Sequence, residues 1–325
     1  MFWKYRLPII GFLLIVIVAT VSHLAISEVG VRRVPTVHAL LVIPVDDPAI
    51  GASQQQSSSK MQALILRIKD DCRVHMTVME LRADNTAMVT VTKKNRHFTD
   101  EQSSKQMTGI IGTDLITAWL RDLEPWPVDT ILVYYTGHGG INESGQHLLR
   151  FDGKDNIRRD ELSDLLAQKQ GRLKLLITDT DSEGPPVTVP LRANTQYRKV
   201  VKPLNKIDVG GGASIVKRGQ FRHLFLQHTG FLNLTAATEG EYAWAAGESG
   251  SLFTNALCDA INDNLDLDGD GFLSWEEVFK VTREDTRRLF DVISVRLPGS
   301  AKSDLDQRRI ESQRPKYYGE LPKPH

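Results

Sequence analysis

The chain has little cysteine and no excess of charge of either sign. Its 325 residues include two cysteines, Cys72 and Cys258, and no Cys-x-x-Cys spacing. This excludes a disulfide framework and argues against a zinc or dithiol redox site. Both cysteines fall on apolar faces of predicted helices, so we expect them to be buried. The 40 basic and 40 acidic residues cancel, and no nucleic-acid partner is predicted.

Long apolar runs are also scarce, except at the N-terminus. Residues 7–21 are almost unbroken apolar sequence and follow the basic residues Lys4 and Arg6. This pattern predicts a signal anchor or signal peptide over residues 1–27, and its length favours an uncleaved, single-pass membrane anchor. The basic residues would hold the N-terminus in the cytoplasm and place the domain on the extracytoplasmic side. Cleavage before Glu28 would give a secreted protein instead.

The remaining sequence alternates strand-like and helix-like segments. This order predicts an α/β fold, a mostly parallel sheet flanked by helices on both faces. Strands are predicted at 37–45, 75–81, 87–93, 130–136, 147–151, 173–178 and 231–237, and helices at 61–72, 107–123, 162–166 and 252–265.

Three segments are predicted to lie outside regular elements. Residues 50–59 are rich in Ser and Gln and predict a loop. Residues 184–220 contain Pro and Gly punctuation with several basic residues, which predicts a long surface loop. Residues 322–325 are predicted to form a short tail.

Two of the predicted strands end in polar turns. The strand at 130–136 runs into Gly-His-Gly, with His138 and Gly139, and the strand at 173–178 runs into Asp-Thr-Asp-Ser-Glu-Gly, with Asp179 and Asp181. Ligands of such sheets bind at the carboxyl ends of the strands. We therefore expect these residues to lie at one site.

The two turns resemble the catalytic centre of the caspase/metacaspase superfamily of cysteine peptidases. In that family one core strand ends in Gly-His-Gly and the next in Asp-x-Cys-x-x-Gly, whereas this chain has Asp181 at the position of the Cys. Residues 231–243, 250–257 and 312–321 resemble other family segments. The resemblance thus covers residues 37–321 and implies one caspase-like domain.

The resemblance implies roles for single residues. His138 would be the general base, Gly139 would donate an oxyanion-hole amide, and Asp179 would line a pocket for a basic side chain. The nucleophile is absent, because the carboxylate of Asp181 is poorly matched to an amide carbonyl. Loss of a nucleophile can reduce turnover on the order of 10⁶-fold. The family implies a cysteine-type endopeptidase, but these residues predict a pseudoprotease that binds a peptide or protein ligand.

Other interpretations of the same residues remain open. The chain could be an active hydrolase that cleaves after basic residues by non-standard chemistry with His138. Alternatively, His138, Asp179, Asp181 and Glu183 could hold a divalent cation. His138 could also be an inert turn residue.

Residues 266–277, DLDGDGFLSWEE, match the twelve-residue EF-hand calcium loop. Gly271 permits the sharp turn at the sixth position, and predicted helices flank the loop. A single loop of this kind usually binds Ca²⁺ weakly. The alternative is an acidic helix connector, and a calcium-dependent structural or interaction module is a further candidate function. The predicted Ca²⁺ ligands are Asp266, Asp268, Asp270, the carbonyl of Phe272, Ser274 and Glu277.

Overall fold

The computed structural model describes most of the chain after residue 33. The described residues are 34–47, 50–70, 72–95, 98–109, 112–151, 155–180, 214–215, 220–237, 241–245, 249–263, 265–295 and 313–324. From Pro35 onward the chain forms one compact unit. The predicted segment 1–27, Asp181 and nearly all of the predicted loop 184–220 lie outside the described residues. No helix within the described ranges is long and apolar enough to cross a membrane.

Most of the strands belong to one main sheet. The strands in chain order are β1 (Thr36–Pro44), β2 (Arg73–Leu81), β3 (Thr86–Asn95), β4 (Phe98–Thr108), β5 (Thr130–Thr136), β6 (His138–Ile141), β7 (His147–Arg150), β8 (Asn156–Arg158), β9 (Leu173–Asp179), β10 (Ser214–Ile215), β11 (His228–Thr235), β12 (Leu265–Asp266), β13 (Lys316–Tyr318) and β14 (Lys323–Pro324). The main sheet has the order β13-β11-β9-β5-β1-β2-β3-β4. Strands β2, β1, β5, β9 and β11 are parallel, and β3, β4 and β13 are antiparallel to their neighbours.

Helices cover both faces of this sheet. They are α1 (Gly51–Leu66), α2 (Gly112–Asp122), α3 (Arg159–Ala167), α4 (Gln220–Leu226), α5 (Leu252–Asp263) and α6 (Trp275–Val295). Side chains of α1, α4, α5 and α6 share one hydrophobic core with the sheet. Side chains of α2 and α3 share a second core on the opposite face.

The central strands contribute to both cores. Val37, Ala39 and Leu41 of β1 belong to the first core, whereas Leu40 and Val42 belong to the second. All residues of β5 are buried, which is typical of a parallel strand covered on both faces. The predicted α/β class, a mostly parallel sheet with helices on both faces, is confirmed.

The predicted loop at 50–59 is wrong, because α1 begins at Gly51. The Ser and Gln side chains that suggested a loop are largely buried, including Ser53, Gln54 and Ser57. Ser57 makes a tertiary hydrogen bond, because its hydroxyl accepts the Ser251 amide at 2.9 Å. Tertiary hydrogen bonds therefore stabilise a turn of helix without the apolar stripe that sequence periodicity detects.

The predicted helix at 107–123 begins too early. Strand β4 extends to Thr108, and α2 starts at Gly112. Leu115 and Leu120 form the expected buried stripe of the helix. Met107 packs against the same core, but it does so from strand β4. Its spacing from Leu115 fits a helix, although the two residues belong to different elements.

The C-terminal residues return to the sheet. Strand β13 pairs with Asn233–Thr235, and β14 pairs with His228 and Thr229. The prediction of a tail over 322–325 is therefore wrong for Lys323 and Pro324.

Candidate functional site

The carboxyl ends of β5 and β9 lie side by side at the centre of the candidate site. The strands pair in parallel, with Thr136 opposite Asp179. The Gly137 amide donates to the Asp179 carbonyl oxygen at 3.2 Å. His138 and Asp179 therefore lie at the same edge of the sheet. Asp181 and Glu183 lie outside the described residues.

His138 pairs with a carboxylate that the sequence analysis missed. Its Nε2 lies 2.5 Å from Oδ2 of Asp47, in the segment that follows β1. The other oxygen of Asp47 accepts the Ile50 amide at 3.1 Å, just before α1. Asp47 thus links His138 to the start of α1 and holds one ring nitrogen. The other ring nitrogen, Nδ1, is the one available for proton exchange with a reacting group.

The turn that carries His138 is held by close packing and by a tyrosine. The Tyr135 hydroxyl lies 2.7 Å from the His138 carbonyl and 2.5 Å from the Arg150 carbonyl. A Cβ atom at Gly137 would lie 2.4 Å from that hydroxyl oxygen, so only glycine fits there. Gly139 lies in β6, opposite Leu149 of β7. The predicted amide donor therefore belongs to a small antiparallel sheet of β6, β7 and β8.

Asp179 is buried, and hydroxyl groups surround one side of its carboxylate. The hydroxyls of Ser251 and Thr254 donate to Oδ2, and the Tyr134 hydroxyl lies 3.5 Å from the same oxygen. None of the donors in the described part of the chain reaches Oδ1. Burial raises the pKa of Asp179 to about 6, while the hydroxyl hydrogen bonds act in the opposite direction. One oxygen of this carboxylate is therefore left to accept a donor from a ligand.

Asp179 forms part of the wall of a half-open pocket. Gln54 of α1 lies on the same wall and is 3% exposed. Both polar atoms of its amide are buried, and neither has a hydrogen-bond partner among the described residues. A buried unpaired amide destabilises a fold by roughly 1–3 kcal/mol, so this position calls for a water molecule or a ligand as its partner. The pocket is lined by Ile50, Ser53, Gln54, Thr136, Gly137, Asp179, Ala243, Trp244, Ala245 and Ser251.

Helix α1 also holds the opposite wall in place. The Lys60 ammonium donates to the Ser249 carbonyl at 2.8 Å and to the Asn255 side chain. The Ser57 hydroxyl accepts the Ser251 amide. These contacts position Ser251, which in turn donates to Asp179.

Neither cysteine of the chain supplies a nucleophile to this site. Cys72 and Cys258 are 3% and 4% exposed, as the sequence predicts. Burial raises the pKa of Cys258 to about 12, so its thiolate is scarce near neutral pH.

The acidic loop at 266–277 gathers part of its predicted ligand set. Ligand oxygens of Asp266, Asp268 and Asp270 all lie within 4.8 Å of one another. Asp266 is buried, and its two oxygens accept the amides of Gly269 at 2.6 Å and Gly271 at 2.9 Å. Gly269 and Gly271 have φ of 81° and 88°, which glycine adopts without strain. The loop backbone thus directs three carboxylates to one point.

Ser274 and Glu277 are engaged in a helix cap. Glu277 Oε2 accepts the Ser274 amide at 2.8 Å, and the Ser274 hydroxyl accepts the Glu277 amide at 3.2 Å. This reciprocal pair is a capping box at the start of α6. Glu277 Oε1 accepts the Leu267 amide at 2.6 Å. Glu277 therefore closes the loop through backbone amides and lies outside the cluster of three aspartates.

Phe272 anchors the loop to the segment before β11. Its ring stacks on His223 of α4, with ring centroids 4.6 Å apart. Nearby, the Trp275 indole donates to the Leu224 carbonyl at 3.0 Å, and β10 pairs with β12 at the loop entrance. The loop is thus docked on the chain that follows the predicted long loop.

Four residues of the site were not predicted from sequence patterns: Asp47, Gln54, Ser251 and Thr254. A signal for Asp47 was present, because it follows a buried strand whose carboxyl end lies at the same edge of the sheet. Ser251 and Thr254 open a helix in the segment GSLFT, where Ser and Thr are common for local reasons of capping, so nothing in the sequence marked them as site residues. Gln54 was hidden in the predicted loop.

Comparison with known proteins identifies a family for this arrangement. The model of the C14 peptidase family, described as a caspase domain, matches residues 63–318. None of the curated proteins matches the chain in sequence.

Several solved structures resemble the chain at low identity. Caspase-1 from Spodoptera frugiperda is 13% identical, with 87% of this chain and 86% of that chain covered and a TM-score of 0.44. The structure described as pro-sf-caspase-1 is 12% identical over 88% and 92% of the two chains, with a TM-score of 0.42. A secreted C11 cysteine protease from Bacteroides thetaiotaomicron is 10% identical, with a TM-score of 0.37, and the match covers 78% of this chain and 62% of that one.

The raised pKa of Asp179 makes a prediction about stability. Because the folded state binds this proton more tightly than the unfolded state, Asp179 lowers the free energy of unfolding as pH rises from 3.8 to about 6. Asp179→Asn removes that loss. Relative to wild type, the variant should gain about 3 kcal/mol between roughly pH 4 and pH 8. Urea unfolding at several pH values measures this change, and a difference that is independent of pH would contradict it.

Proposed function

This chain belongs to the caspase-domain family, and we propose that it is a peptidase homologue that binds a peptide or protein without cleaving it. The observation that carries this proposal is the half-open pocket whose lining includes Asp179 and Gln54. Unpaired polar atoms inside a fold are unfavourable unless something completes them. Here they lie where the family's substrate side chain would enter.

The lack of a cysteine at the predicted nucleophile position supports the proposal that the protein does not cleave its ligand. The family nucleophile is a cysteine, and Asp181 stands at its position in the sequence. Both cysteines of the chain are buried. For cleavage, the carboxylate of Asp181 would have to attack the amide carbonyl of the substrate. Carboxylates are poor nucleophiles toward amides.

The ligand that best fits the pocket is a basic side chain. The hydroxyl contacts of Asp179 in the described part of the chain all go to Oδ2, which leaves Oδ1 as an acceptor. Gln54 adds a buried amide oxygen to the lining of the same pocket. Guanidinium and ammonium groups carry only donors, so they match two acceptors. A bound cation would also stabilise the ionised form of Asp179 and lower its pKa, whereas burial raises that pKa.

An active hydrolase is the second candidate function, and the pair of His138 with Asp47 favours it. A histidine oriented by a carboxylate through one ring nitrogen resembles the base and orienting group of a catalytic triad. Such a hydrolase would use His138 with a partner other than a thiol. It would still cleave after basic residues, because Asp179 lines the same pocket.

We further propose that the acidic loop binds Ca²⁺. The donor set fits a hard cation, since three carboxylates converge within 4.8 Å and carboxylate oxygens are the preferred ligands of Ca²⁺. Asp266, Asp268 and Asp270 would hold the ion together with the Phe272 carbonyl. Ser274 and Glu277 would complete the shell by leaving part of their capping box. A calcium-dependent structural or interaction module is the corresponding alternative function.

We also propose that the protein is anchored in a membrane by its N-terminal segment. The apolar segment at 7–21 behind Lys4 and Arg6 supports a single-pass anchor with the domain on the extracytoplasmic side. Fractionation of cells and protease protection of the full chain would distinguish this from secretion.

Restoring the thiol tests the pseudoprotease proposal. Wild-type protein should not cleave fluorogenic peptides that end in Arg or Lys, whereas Asp181→Cys should cleave them. In the Asp181→Cys background, His138→Ala should reduce turnover on the order of 10²- to 10⁴-fold, as expected for loss of a general base. Cleavage by wild type that disappears in His138→Ala alone would overturn the proposal and support the hydrolase.

Substitution of Gln54 is expected to change ligand binding and stability in opposite directions. Gln54→Leu keeps the size of the side chain and removes the unpaired amide, so the free energy of unfolding should rise by roughly 1–3 kcal/mol. Binding of a labelled Arg-terminated peptide, measured by fluorescence anisotropy, should weaken about tenfold or more, because an acceptor is lost. The exposed neighbour Gln55 provides the matched control, Gln55→Leu, which should change neither quantity. A variant that binds like wild type would contradict the role of Gln54.

Calcium titration tests the acidic loop. Wild-type protein should bind Ca²⁺ with a dissociation constant of about 10⁻⁴ to 10⁻³ M by isothermal titration calorimetry. Asp268→Asn should weaken binding about tenfold or more, with little effect on folding, because Asp268 is exposed. Glu276→Gln is a matched control in an exposed acidic residue outside the predicted set. Equal weakening by both variants, or no saturable binding to wild type, would count against the site.

A further inference from the structure

Within the described part of the chain, strand β4 forms an open edge of the main sheet. It is the outermost strand, and among the described residues its only ladder is with β3. Residues 101–106 are exposed. An edge strand of this kind presents a row of unpaired backbone N–H and C=O groups, which is a template for pairing with another strand.

Two of the usual protections of an edge, proline and a bulge, are missing from residues 101–108 of this strand. The segment Phe98–Thr108 contains no proline, and the register irregularity with β3 lies between Lys93 and Asn95, near the start of β4. From Glu101 to Thr108 the ladder with β3 is regular. This half of β4 is therefore straight enough to accept a further strand.

The charges on β4 are arranged for pairing with a second copy of itself. Glu101 and Lys105 each lie two residues from Ser103 and point to the same face. In an antiparallel pair centred on Ser103, each Glu101 faces Lys105 of the other copy, and each Gln102 faces Ser104. Neither Glu101 nor Lys105 forms an ion pair within the described residues.

The same charges select this register over others. A pair centred on Lys105 would place two lysines directly opposite each other, and a pair centred on Glu101 would oppose two carboxylates. Like charges at opposed positions are destabilising, whereas opposite charges stabilise a cross-strand pair. The pairing centred on Ser103 places each Glu101 opposite a Lys105, and Asp100 opposite the neutral Gln106.

We propose that two copies of this chain associate through β4, antiparallel and centred on Ser103. The association is isologous, because each copy contributes the same strand. It is independent of whether the pocket of Asp179 binds or cleaves a peptide.

Strand β4 runs parallel to β2, β1, β5 and β9, since it follows two antiparallel reversals. The two pockets therefore lie at opposite edges of the joined sheet, and each stays accessible.

The contact is expected to be weak. One polar strand buries less surface than the roughly 1,600 Å² of a standard stable interface. Self-association in the micromolar range or above is therefore expected. Concentrating both copies on one membrane would favour it further.

Site-directed cross-linking of the full chain tests the proposal. Ser103→Cys places two thiols opposite each other, with Cα atoms about 4.5–5.5 Å apart, within the Cα separation of about 4.4–6.8 Å that a disulfide spans. Under mild oxidation this variant should form a disulfide-linked dimer on a non-reducing gel. Gln106→Cys is the matched control on the same exposed strand. Its two copies would lie roughly 20 Å apart along the paired strands and should not cross-link.

Charge reversal tests the register in the Ser103→Cys background. Lys105→Glu should lower the cross-linked fraction about tenfold, because it opposes two acidic residues. Adding Glu101→Lys restores complementary charges and should restore the dimer. Cross-linking of Ser103→Cys no faster than Gln106→Cys would overturn the proposal. Failure of the double reversal to restore the dimer, or linkage to a different protein, would also overturn it.

Discussion

The parallel pairing of β5 with β9 is the constraint on which the candidate site depends. Both strands are apolar and buried, so two hydrophobic cores hold them in one register. That register brings the turn of His138 and the carboxylate of Asp179 to the same edge of the sheet. The next strand, β1, delivers Asp47 to His138 at this edge. A shift of either strand by one residue would turn its buried side chains to the other face.

The site keeps polar groups in a place where they oppose folding. Asp179 is buried with a raised pKa, and the Gln54 amide has no partner among the residues that the structure describes. Neighbouring hydroxyls offset only part of the unfavourable burial of Asp179, because they all contact Oδ2. An apolar pocket wall would be more stable. Retaining such groups is consistent with selection for a ligand that supplies donors, and it connects the instability of the pocket to its proposed function.

The acidic loop shows how one set of residues serves both local structure and a proposed ligand. Ser274 and Glu277 cap α6 through backbone amides, and Asp266 holds the loop turns. The same oxygens are candidate Ca²⁺ ligands. Trp275 and Phe272 fasten this loop to α4. Any change in the loop on ion binding would therefore reach the segment that leads into β11, a neighbour of β9 in the sheet.

The sequence by itself determined the α/β class, the central strands and the positions of His138 and Asp179 at strand ends. These follow from apolar runs and from polar turns, which are local in sequence. The acidic loop was equally visible, because its spacing lies within twelve residues. Only the tertiary structure decided that residues 51–59 form a helix, that Gln54 lies in the pocket wall and that Asp47 pairs with His138. Those features depend on contacts between residues far apart in the chain, where burial and hydrogen bonding override local composition.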